Sequence, residues 1–341
     1  MAIGVCLLGC GRIGREHARA WRRQEGVRLW TCDAVAGRAA QMAFEMGAEG
    51  DVGDYAAALA DSDIALVDVC LPHDQHVEAA VRAARAGKHL LIEKPLTRTV
   101  AEADTLLAET ARAGVQCMVA ECYRYAPTVL RAVAAIAAGD VGDVFLVQVN
   151  TLQRHHPVPG DFRAKRSMMG GGVLIDRGIH FVDVLHQLGG DIDAVSALDA
   201  RGGISELEGE DTACLLVRFA SGGVGQLSVS WGTWRAATAS GPDWMVGQPP
   251  AAWFTVFGTK GTLYDHDGLH LITEEGRGPR QLAPASPDPP LIELEIADYA
   301  AALRAGRPAP VPAAVGRRDL AVVEAAYESM ASGSVVRLRQ P

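Results

Sequence analysis

The chain has 341 residues, of which 49% are hydrophobic and 21% charged, and a formal net charge of −9. A chain of this length is longer than those that usually fold around a single hydrophobic core, so we expect two domains. The composition is that of a packed globular protein. The excess of 41 acidic over 32 basic residues argues against a nucleic-acid-binding surface. The sequence contains no apolar run of about 18 residues, so we predict no membrane span.

The seven cysteines are scattered along the chain and form no Cys-x-x-Cys pair. Several lie in apolar runs, where a free thiol behaves as a small hydrophobic side chain. This usage predicts a reduced, cytoplasmic protein without a zinc site. No basic segment precedes the first apolar run, so we predict no signal peptide.

Strands and helices alternate through the first 120 residues or so. Apolar runs predict strands at 3–8, 27–32, 64–71, 89–92 and 116–120. Helical patterns are predicted between them at 12–24, 34–47, 75–86 and 100–112. This alternation indicates βαβ units around a parallel sheet, which is an α/β fold.

The second half of the chain has a different pattern. Strands are predicted at 144–152, 212–219, 224–230 and 253–257, with few helices between the last three. This favours an α+β domain with a largely antiparallel sheet. The Gly/Pro-rich stretch 276–290 is predicted to be a surface loop, and 317–329 a closing helix. We therefore predict two domains, 1–121 and 122–341.

A glycine-rich turn follows the first predicted strand and opens the first predicted helix. Gly9, Gly11 and Gly14 match the pattern G-x-G-x-x-G, with Arg12 and Ile13 before the last glycine. Gly9 permits a tight turn, Gly11 lets the backbone approach a pyrophosphate, and Gly14 lets the helix pack on the strand. The helix N-terminus offers N–H groups and a positive dipole end to the phosphates. These features predict a dinucleotide site.

Asp33 ends the second predicted strand. Its carboxylate would accept hydrogen bonds from the adenosine ribose hydroxyls and repel a 2′-phosphate, which favours NAD over NADP. Arg38 lies nearby in the sequence and would moderate this preference, so NADP remains an alternative cofactor.

Polar residues follow two further predicted strands. The tripeptide Glu93-Lys94-Pro95 follows the strand 89–92. Ligands of open α/β sheets bind at the carboxyl ends of the strands, so Glu93 and Lys94 are predicted to meet the cofactor. The compact charge of Lys94 would stabilise a substrate alkoxide. The other residues predicted to line the cofactor pocket are Cys70, Pro72, His73 and His76.

A second block of chemistry-bearing residues follows the glycine run 170–172. Asp176 and His180 are four residues apart, and Asp183 lies about one turn further on, so a helix would place them on one face. A carboxylate beside an imidazole orients the ring for general-base work. The glycines would let the backbone approach a ligand. A structural surface pair of Asp and His remains an equal alternative.

In their order along the chain, these motifs resemble the Gfo/Idh/MocA oxidoreductases, a family that includes inositol dehydrogenases and glucose–fructose oxidoreductase. The motifs that carry the resemblance are the glycine turn 9–14, Pro72 with His76, the tripeptide 93–95, the segment from Gly170 to His180 and the closing segment 319–329.

The resemblance implies an N-terminal Rossmann domain and a C-terminal domain whose open sheet assembles homodimers or homotetramers. It also implies hydride transfer between a sugar or cyclitol hydroxyl carbon and nicotinamide. Lys94 would be the catalytic lysine, His180 the acid/base and Asp176 its partner. Asp183 would bind a substrate hydroxyl. Tyr123 is also predicted to contact the substrate, although the chain departs from the family pattern at Cys122-Tyr123.

Several alternatives remain open from the sequence. Asp161 and Asp243 hint at a cationic substrate such as an aminoglycoside. An NADPH-using ketoreductase and an enzyme that never releases its cofactor fit the same motifs. A sensor that binds the dinucleotide without catalysis is a hypothesis of a different class, and it is disfavoured because Lys94 and His180 are both present.

Overall fold

A computed structural model describes residues 2–158, 160–233, 253–274, 276, 278–284 and 290–338. The chain separates into two compact units. The first unit comprises residues 1–122 and 290–318, and the second comprises 123–289 and 319–341. The predicted second domain, 122–341, includes the segment 290–318, whereas in the structure this segment folds with the first unit.

The secondary-structure elements of the described residues are numbered along the chain. The strands are β1 Ile3–Leu8, β2 Val27–Cys32, β3 Gly50–Asp51, β4 Leu66–Val69, β5 His89–Glu93, β6 Cys117–Ala120, β7 Val144–Leu152, β8 Ile192–Ala200, β9 Thr212–Phe219, β10 Val224–Ser230, β11 Phe254–Gly258, β12 Gly261–Asp265, β13 Gly268–Thr273, β14 Arg280–Pro284 and β15 Val336–Arg337. The helices are α1 Arg12–Arg22, α2 Arg38–Met46, α3 Tyr55–Ala60, α4 His76–Arg85, α5 Val100–Ala113, α6 Pro127–Ala137, α7 Arg166–Met169, α8 Ile179–Gly189, α9 Leu291–Arg304 and α10 Ala313–Ser332.

The sheet of the first unit has six strands in the order β3-β2-β1-β4-β5-β6. All of its pairings are parallel. Every residue of β1 and β4 is buried, as expected for strands covered by helices on both faces. This is the strand order of a dinucleotide-binding Rossmann fold, and it confirms the predicted fold class.

The sheet of the second unit has nine strands in the order β14-β13-β12-β11-β7-β10-β9-β8-β15. Only the pair β7 and β10 is parallel, so the prediction of a largely antiparallel sheet is confirmed. Buried residues alternate with more exposed ones along β9, because one sheet face packs inward and the other does not. Leu198 and Leu216 are exposed on the outward face.

Several elements differ from the sequence predictions, among them α6, β8, β12 and β13, which the sequence pattern did not reveal. The stretch 276–290, predicted to be a loop, contains the strand β14, which pairs with β13. The helix α9, which the sequence pattern did not reveal, packs against α1 in the first unit. None of the described helices combines the length and apolar character needed to cross a membrane.

Candidate active site

The glycine turn between β1 and α1 has three glycines with different physical roles. Gly9 has a φ of +103°, and a Cβ there would lie 2.3 Å from the carbonyl oxygen of Cys70. A Cβ on Gly14 would lie 2.0 Å from the Gly9 carbonyl oxygen. A Cβ on Gly11 would meet no described atom within 4 Å. Packing therefore requires Gly9 and Gly14, whereas Gly11 leaves the space before the helix open.

The N-terminus of α1 is suited to a phosphate group. Gly11 is its N-cap residue, and no side chain of the described residues caps the helix there. Arg12 is exposed and Ile13 half-buried at its first two positions. Uncapped N–H groups and the positive end of the helix dipole attract an anion. The open space at Gly11 therefore fits the pyrophosphate of a dinucleotide.

Asp33, at the end of β2, has a bracing role that the sequence did not predict. Its Oδ2 atom accepts a hydrogen bond from the Cys10 backbone N–H at 2.8 Å, and its Oδ1 atom accepts one from Val35 at 2.7 Å. The guanidinium of Arg38 lies 3.6 Å from Oδ2. Each carboxylate oxygen can accept a second bond, so Asp33 holds the glycine turn and keeps capacity for ribose hydroxyls.

Lys94 lies at the same edge of the sheet as the glycine turn. Leu8 at the end of β1 pairs with Val69 of β4, and Val69 pairs with Ile92 of β5. Neighbouring strands are about 4.8 Å apart, so β1 and β5 are separated by roughly 10 Å. The glycine turn and the half-buried Lys94 thus follow strand ends of one sheet edge, as predicted from the position of the tripeptide 93–95.

A buried hydrogen-bond network holds the residue before Lys94. The Nε2 atom of His17 lies 3.1 Å from Oε1 of Glu93, and its Nδ1 atom lies 2.9 Å from Oδ2 of Asp68. Trp21 donates a further hydrogen bond to the same Asp68 oxygen at 2.7 Å. Burial acts to lower the pKa of His17, but the charges and hydrogen bonds of Asp68 and Cys70 together outweigh it and hold this pKa well above its usual value. The protonated ring can donate to both carboxylates and fixes Glu93 in place.

The residues after β4 brace the turn that contains Lys94. His76 is fully buried, and its ring nitrogens lie 2.9 Å from the carbonyl oxygens of Pro95 and Leu71. Burial lowers the pKa of His76 to about 4, so the neutral ring donates to one of these carbonyls. His73 is also buried, with its ring centroid 5.7 Å from that of His76. This places His76 as a support of the Lys94 loop.

Cys70 and Pro72 complete the predicted lining of the cofactor pocket. Cys70 is buried beneath the glycine turn, and its thiol lies 3.6 Å from Asp68. Burial raises the pKa of this thiol, so it remains protonated at neutral pH. Pro72 precedes the short 3₁₀ turn His73–Gln75.

In the second unit, Asp176 and His180 lie on one continuous helical segment. It begins with a π-helical turn at Leu174–Gly178 and continues as α8. The sequence predicts an ordinary α-helix here, so the π turn at Asp176 is a correction. Both residues are buried, each with 7% of its surface exposed, and π turns occur frequently at functional sites.

The glycine run before this helix packs against the protein's own chain. A Cβ on Gly171 would lie 2.0 Å from the hydroxyl oxygen of Tyr327, and one on Gly172 would lie 2.1 Å from the carbonyl oxygen of Glu210. Gly170 ends α7 with a φ of +91°. The sequence predicts that these glycines let the backbone approach a ligand. In the structure, Gly171 and Gly172 instead allow close packing within the chain.

Aromatic and arginine side chains surround His180. The ring centroid of Tyr123 lies 5.0 Å from that of His180, and the Tyr123 hydroxyl accepts a hydrogen bond from Arg177 at 2.7 Å. The Arg177 guanidinium lies 5.0 Å from the ring centroid of Phe181 and donates to Thr151 at 3.0 Å. The predicted Tyr123 and His180 are thus brought together, and Arg177 orients the tyrosine.

The acidic residues of this region are matched by arginines. Arg163 lies 3.2 Å from Oδ2 of Asp161 and 3.5 Å from Oδ2 of Asp176. Asp183 is almost fully buried, and Arg124 donates to it at 3.1 Å. Asp243, which the sequence suggested as a further acid, lies outside the described residues.

Sequence reasoning missed several residues that shape these sites. His17 and Trp21 follow Gly14 at helical spacing, and this pattern could have revealed a buried polar face on the first helix. Arg163 lies in the short 3₁₀ turn Phe162–Ala164, and Glu210 and Tyr327 are distant in the sequence from the glycine run that they contact. No local signal identifies such contacts.

Comparison with known proteins identifies two matching family descriptions. Residues 3–121 match an oxidoreductase family with an NAD-binding Rossmann fold, and residues 129–264 match the GFO/IDH/MocA C-terminal domain.

Several characterised proteins are similar over much of the chain. A D-apiose dehydrogenase of Paraburkholderia graminis is 29% identical over 98% of this chain and 89% of that protein. A scyllo-inositol 2-dehydrogenase (NAD(+)) of Bacillus subtilis is 31% identical over 67% of each. A levoglucosan dehydrogenase solved with NADH and levoglucosan is 25% identical, with a TM-score of 0.88 over 100% of both chains.

Proposed function

The chain belongs to the GFO/IDH/MocA family of NAD-binding oxidoreductases, and from this premise we propose that it oxidises one secondary hydroxyl of a neutral sugar, cyclitol or glycoside. One observation carries the proposal. The N-terminus of α1, with open space at Gly11, follows the end of β1, and Lys94 follows the end of β5. Both strand ends lie at one edge of a single parallel sheet. A dinucleotide held at that edge supplies the hydride acceptor, and Lys94 supplies a positive charge for the developing alkoxide.

Proton handling is assigned to the second unit. In the proposal, His180 accepts the hydroxyl proton and Asp176 holds the substrate and stabilises the protonated imidazole. The contact of Tyr123 with His180 supports this assignment, because a packed ring restricts the orientations of its neighbour. Tyr123 and Asp183 are assigned to substrate binding.

The charge balance of the described residues favours a neutral substrate over a cationic one. Asp161 and Asp176 both face Arg163, and Asp183 faces Arg124. An aminoglycoside would need carboxylates without cationic partners. Arginine–carboxylate pairs instead present fixed donors and acceptors that suit several neutral hydroxyls.

The first experiment supplies NAD or NADP together with inositols, hexoses, anhydrosugars, aminosugars or glycosides, and follows the ultraviolet absorbance of the NADH or NADPH that forms. We expect turnover with NAD and a neutral polyol. Turnover confined to aminosugars would contradict the neutral-substrate assignment. NAD binding without turnover of any compound would favour the sensor alternative.

The role of Lys94 is tested by Lys94→Ala. We expect kcat to fall by about 10³-fold, the scale for loss of one charge-stabilising group, while NAD binding measured by calorimetry is retained. Lys260→Ala is the matched control, because Lys260 is exposed in the second unit and its removal should leave kcat unchanged. Retained turnover in Lys94→Ala would exclude the assigned role.

Cofactor preference is tested at Asp33. We propose that NAD is preferred because the Asp33 carboxylate repels a 2′-phosphate. The neighbouring Arg38 supports the alternative that NADP is also used. Asp33→Asn should raise kcat/KM with NADP relative to NAD by about tenfold, and a wild-type preference for NADP would favour a ketoreductase.

A further inference from the structure

The turn that carries Asp176 is held by two residues that lie far away in the sequence. The Oε1 atom of Glu210 accepts hydrogen bonds from the backbone N–H groups of Leu174 at 3.0 Å and Gly172 at 3.2 Å. The hydroxyl of Tyr327 donates to the same oxygen at 2.9 Å. We call these two residues the Glu210–Tyr327 clamp.

The clamp supplies hydrogen-bond partners that the start of a helix otherwise lacks. The first N–H groups of a helix have no partner within the helix, and a carboxylate is a favourable acceptor for them. The Gly172 N–H also lies 3.2 Å from the Tyr327 hydroxyl. The Val173 N–H donates to the backbone carbonyl of Glu210 at 2.8 Å. Three successive N–H groups therefore depend on the clamp.

Burial makes the hydrogen bonds of Glu210 costly to lose. Glu210 is 3% exposed, so an unsatisfied partner here carries a desolvation penalty. Burial raises the pKa of Glu210. Burial, and then the charge of Glu210, also hold the pKa of Tyr327 well above its usual value. Tyr327 therefore remains a hydroxyl donor across the working pH range.

The glycines of the second unit fit the clamp sterically. A Cβ on Gly171 would collide with the Tyr327 hydroxyl, and one on Gly172 with the Glu210 carbonyl. A Cβ on Gly209 would lie 2.5 Å from the Gly171 carbonyl oxygen. The two backbone segments therefore approach each other closely, and the clamp fixes where the helix begins.

The start of the helix decides which way Asp176 points. Successive helical residues are rotated by about 100° around the axis, so a one-residue change in the π turn would reorient Asp176 relative to His180. The π turn begins at Leu174, whose N–H is bound by Glu210. Loss of that bond would release the residue at which the π turn starts.

We propose that Glu210 and Tyr327 are positioning residues for the reaction, because they fix the π turn and thereby the orientation of Asp176 toward the substrate. This inference rests on the roles proposed above for Asp176 and His180. Neither clamp residue is assigned a contact with substrate or cofactor.

The experiment compares Tyr327→Phe, Glu210→Ala and Glu210→Gln with the wild type. It measures kcat with NAD and the best polyol per NAD-binding site, the Kd for NAD, and amide hydrogen exchange of the peptide spanning 170–180. We expect kcat to fall about tenfold in Tyr327→Phe and about 100-fold in Glu210→Ala, the scale for a displacement near 1 Å. Glu210→Gln keeps an acceptor oxygen and should recover to within about threefold of the wild type.

The control that matches Glu210→Ala is Asp211→Ala, which also removes a buried acceptor carboxylate. Asp211 is also buried, and it accepts hydrogen bonds from the backbone N–H groups of Gly202, Gly203 and Ile204. We expect this variant to lose thermal stability while kcat and exchange of the peptide 170–180 remain unchanged. Counting kcat per NAD-binding site removes any loss that merely reflects unfolded protein.

Two results would overturn the inference while the proposed function stands. One is an active wild type with Tyr327→Phe and Glu210→Ala at full kcat. The other is a kcat loss in Asp211→Ala equal to that in Glu210→Ala, which would mark a general stability effect. A wild type that binds NAD but oxidises no polyol overturns the proposed function and this inference with it, and is recognised before any variant is made.

Discussion

Each unit has glycines before or at the start of a helix, but the space beside Gly11 in the first unit differs from the space beside Gly171 and Gly172 in the second. At the start of α1, Gly11 leaves a space that no described atom fills within 4 Å. Before α8, the space beside Gly171 and Gly172 is filled by Tyr327 and Glu210. The first glycine turn is open to a ligand, whereas the second is closed by the protein itself.

This contrast shows that glycine content does not by itself indicate a ligand site. A glycine is required wherever the backbone must approach another atom closely, and that atom belongs either to a ligand or to the same chain.

The largest effect is expected for Gly14→Ala in the first unit. The new Cβ would lie 2.0 Å from the Gly9 carbonyl oxygen, so α1 must move away from β1. We expect the free energy of unfolding to fall by about 3 kcal/mol or more and NAD binding to be lost, as measured by denaturant unfolding and calorimetry. Wild-type stability in this variant would contradict the close packing.

Gly172→Ala tests the closed turn of the second unit. Its Cβ would lie 2.1 Å from the Glu210 carbonyl oxygen, and we expect a loss of about 2–3 kcal/mol in unfolding free energy. The Kd for NAD should stay at its wild-type value because the dinucleotide turn lies in the other unit. A weaker Kd for NAD at full stability would mean that this glycine turn also contacts the cofactor.

Acidification should affect the Lys94 loop, which His76 supports, differently from the π turn, which Glu210 supports. Burial lowers the pKa of His76 from 6.5 to about 4, so its stabilising contribution is complete above pH 6.5 and is lost as the pH falls toward about 4. The loss amounts to roughly 3 kcal/mol. Burial raises the pKa of Glu210, so its contribution is instead present at low pH and declines as the pH rises through the folded value.

The measurement for His76 is the unfolding free energy of His76→Gln and wild type across this pH range. The variant should show a flatter decline on acidification than the wild type. His266→Gln is the control, since His266 is exposed and should leave the slope unchanged. Identical slopes in wild type and His76→Gln would contradict the assigned protonation state.

The smallest effect is expected for Gly11→Ala. Because a Cβ there would meet no described atom within 4 Å and the backbone has a φ of −77°, stability should change by less than about 1 kcal/mol. The Kd for NAD should rise about tenfold, equivalent to about 1.4 kcal/mol. An unchanged Kd would mean that the open space at Gly11 is not the pyrophosphate site.

Much of the first unit could be predicted because its signals are local. Strand β1 matches the predicted span 3–8, and helix α5 matches its predicted span to within one residue. The segment 290–318 could not be assigned in the same way, since α9 joins the first unit through packing against α1. Sequence periodicity reports which face of a helix is buried but not against which element.

Some features of the candidate site could likewise be predicted from the sequence, whereas others could not. Lys94 could be placed at a sheet edge because strand ends of a parallel sheet share one edge. The bracing of Asp33 on Cys10 and of Glu210 on the π turn could not be predicted, because these contacts join segments far apart in the sequence. The functional assignments of Lys94, Asp176 and His180 remain predictions for the experiments above.

The sequence by itself determined the alternation of strands and helices in the first unit, the glycine turn and the residue types available for catalysis, because hydrophobic periodicity and glycine spacing are local properties of neighbouring residues. Only the tertiary structure decided which glycines leave open space, which carboxylates are matched by arginines and how the helix before His180 begins. These properties depend on atoms that approach from distant parts of the chain, and their burial sets both the hydrogen bonds and the direction of each pKa shift.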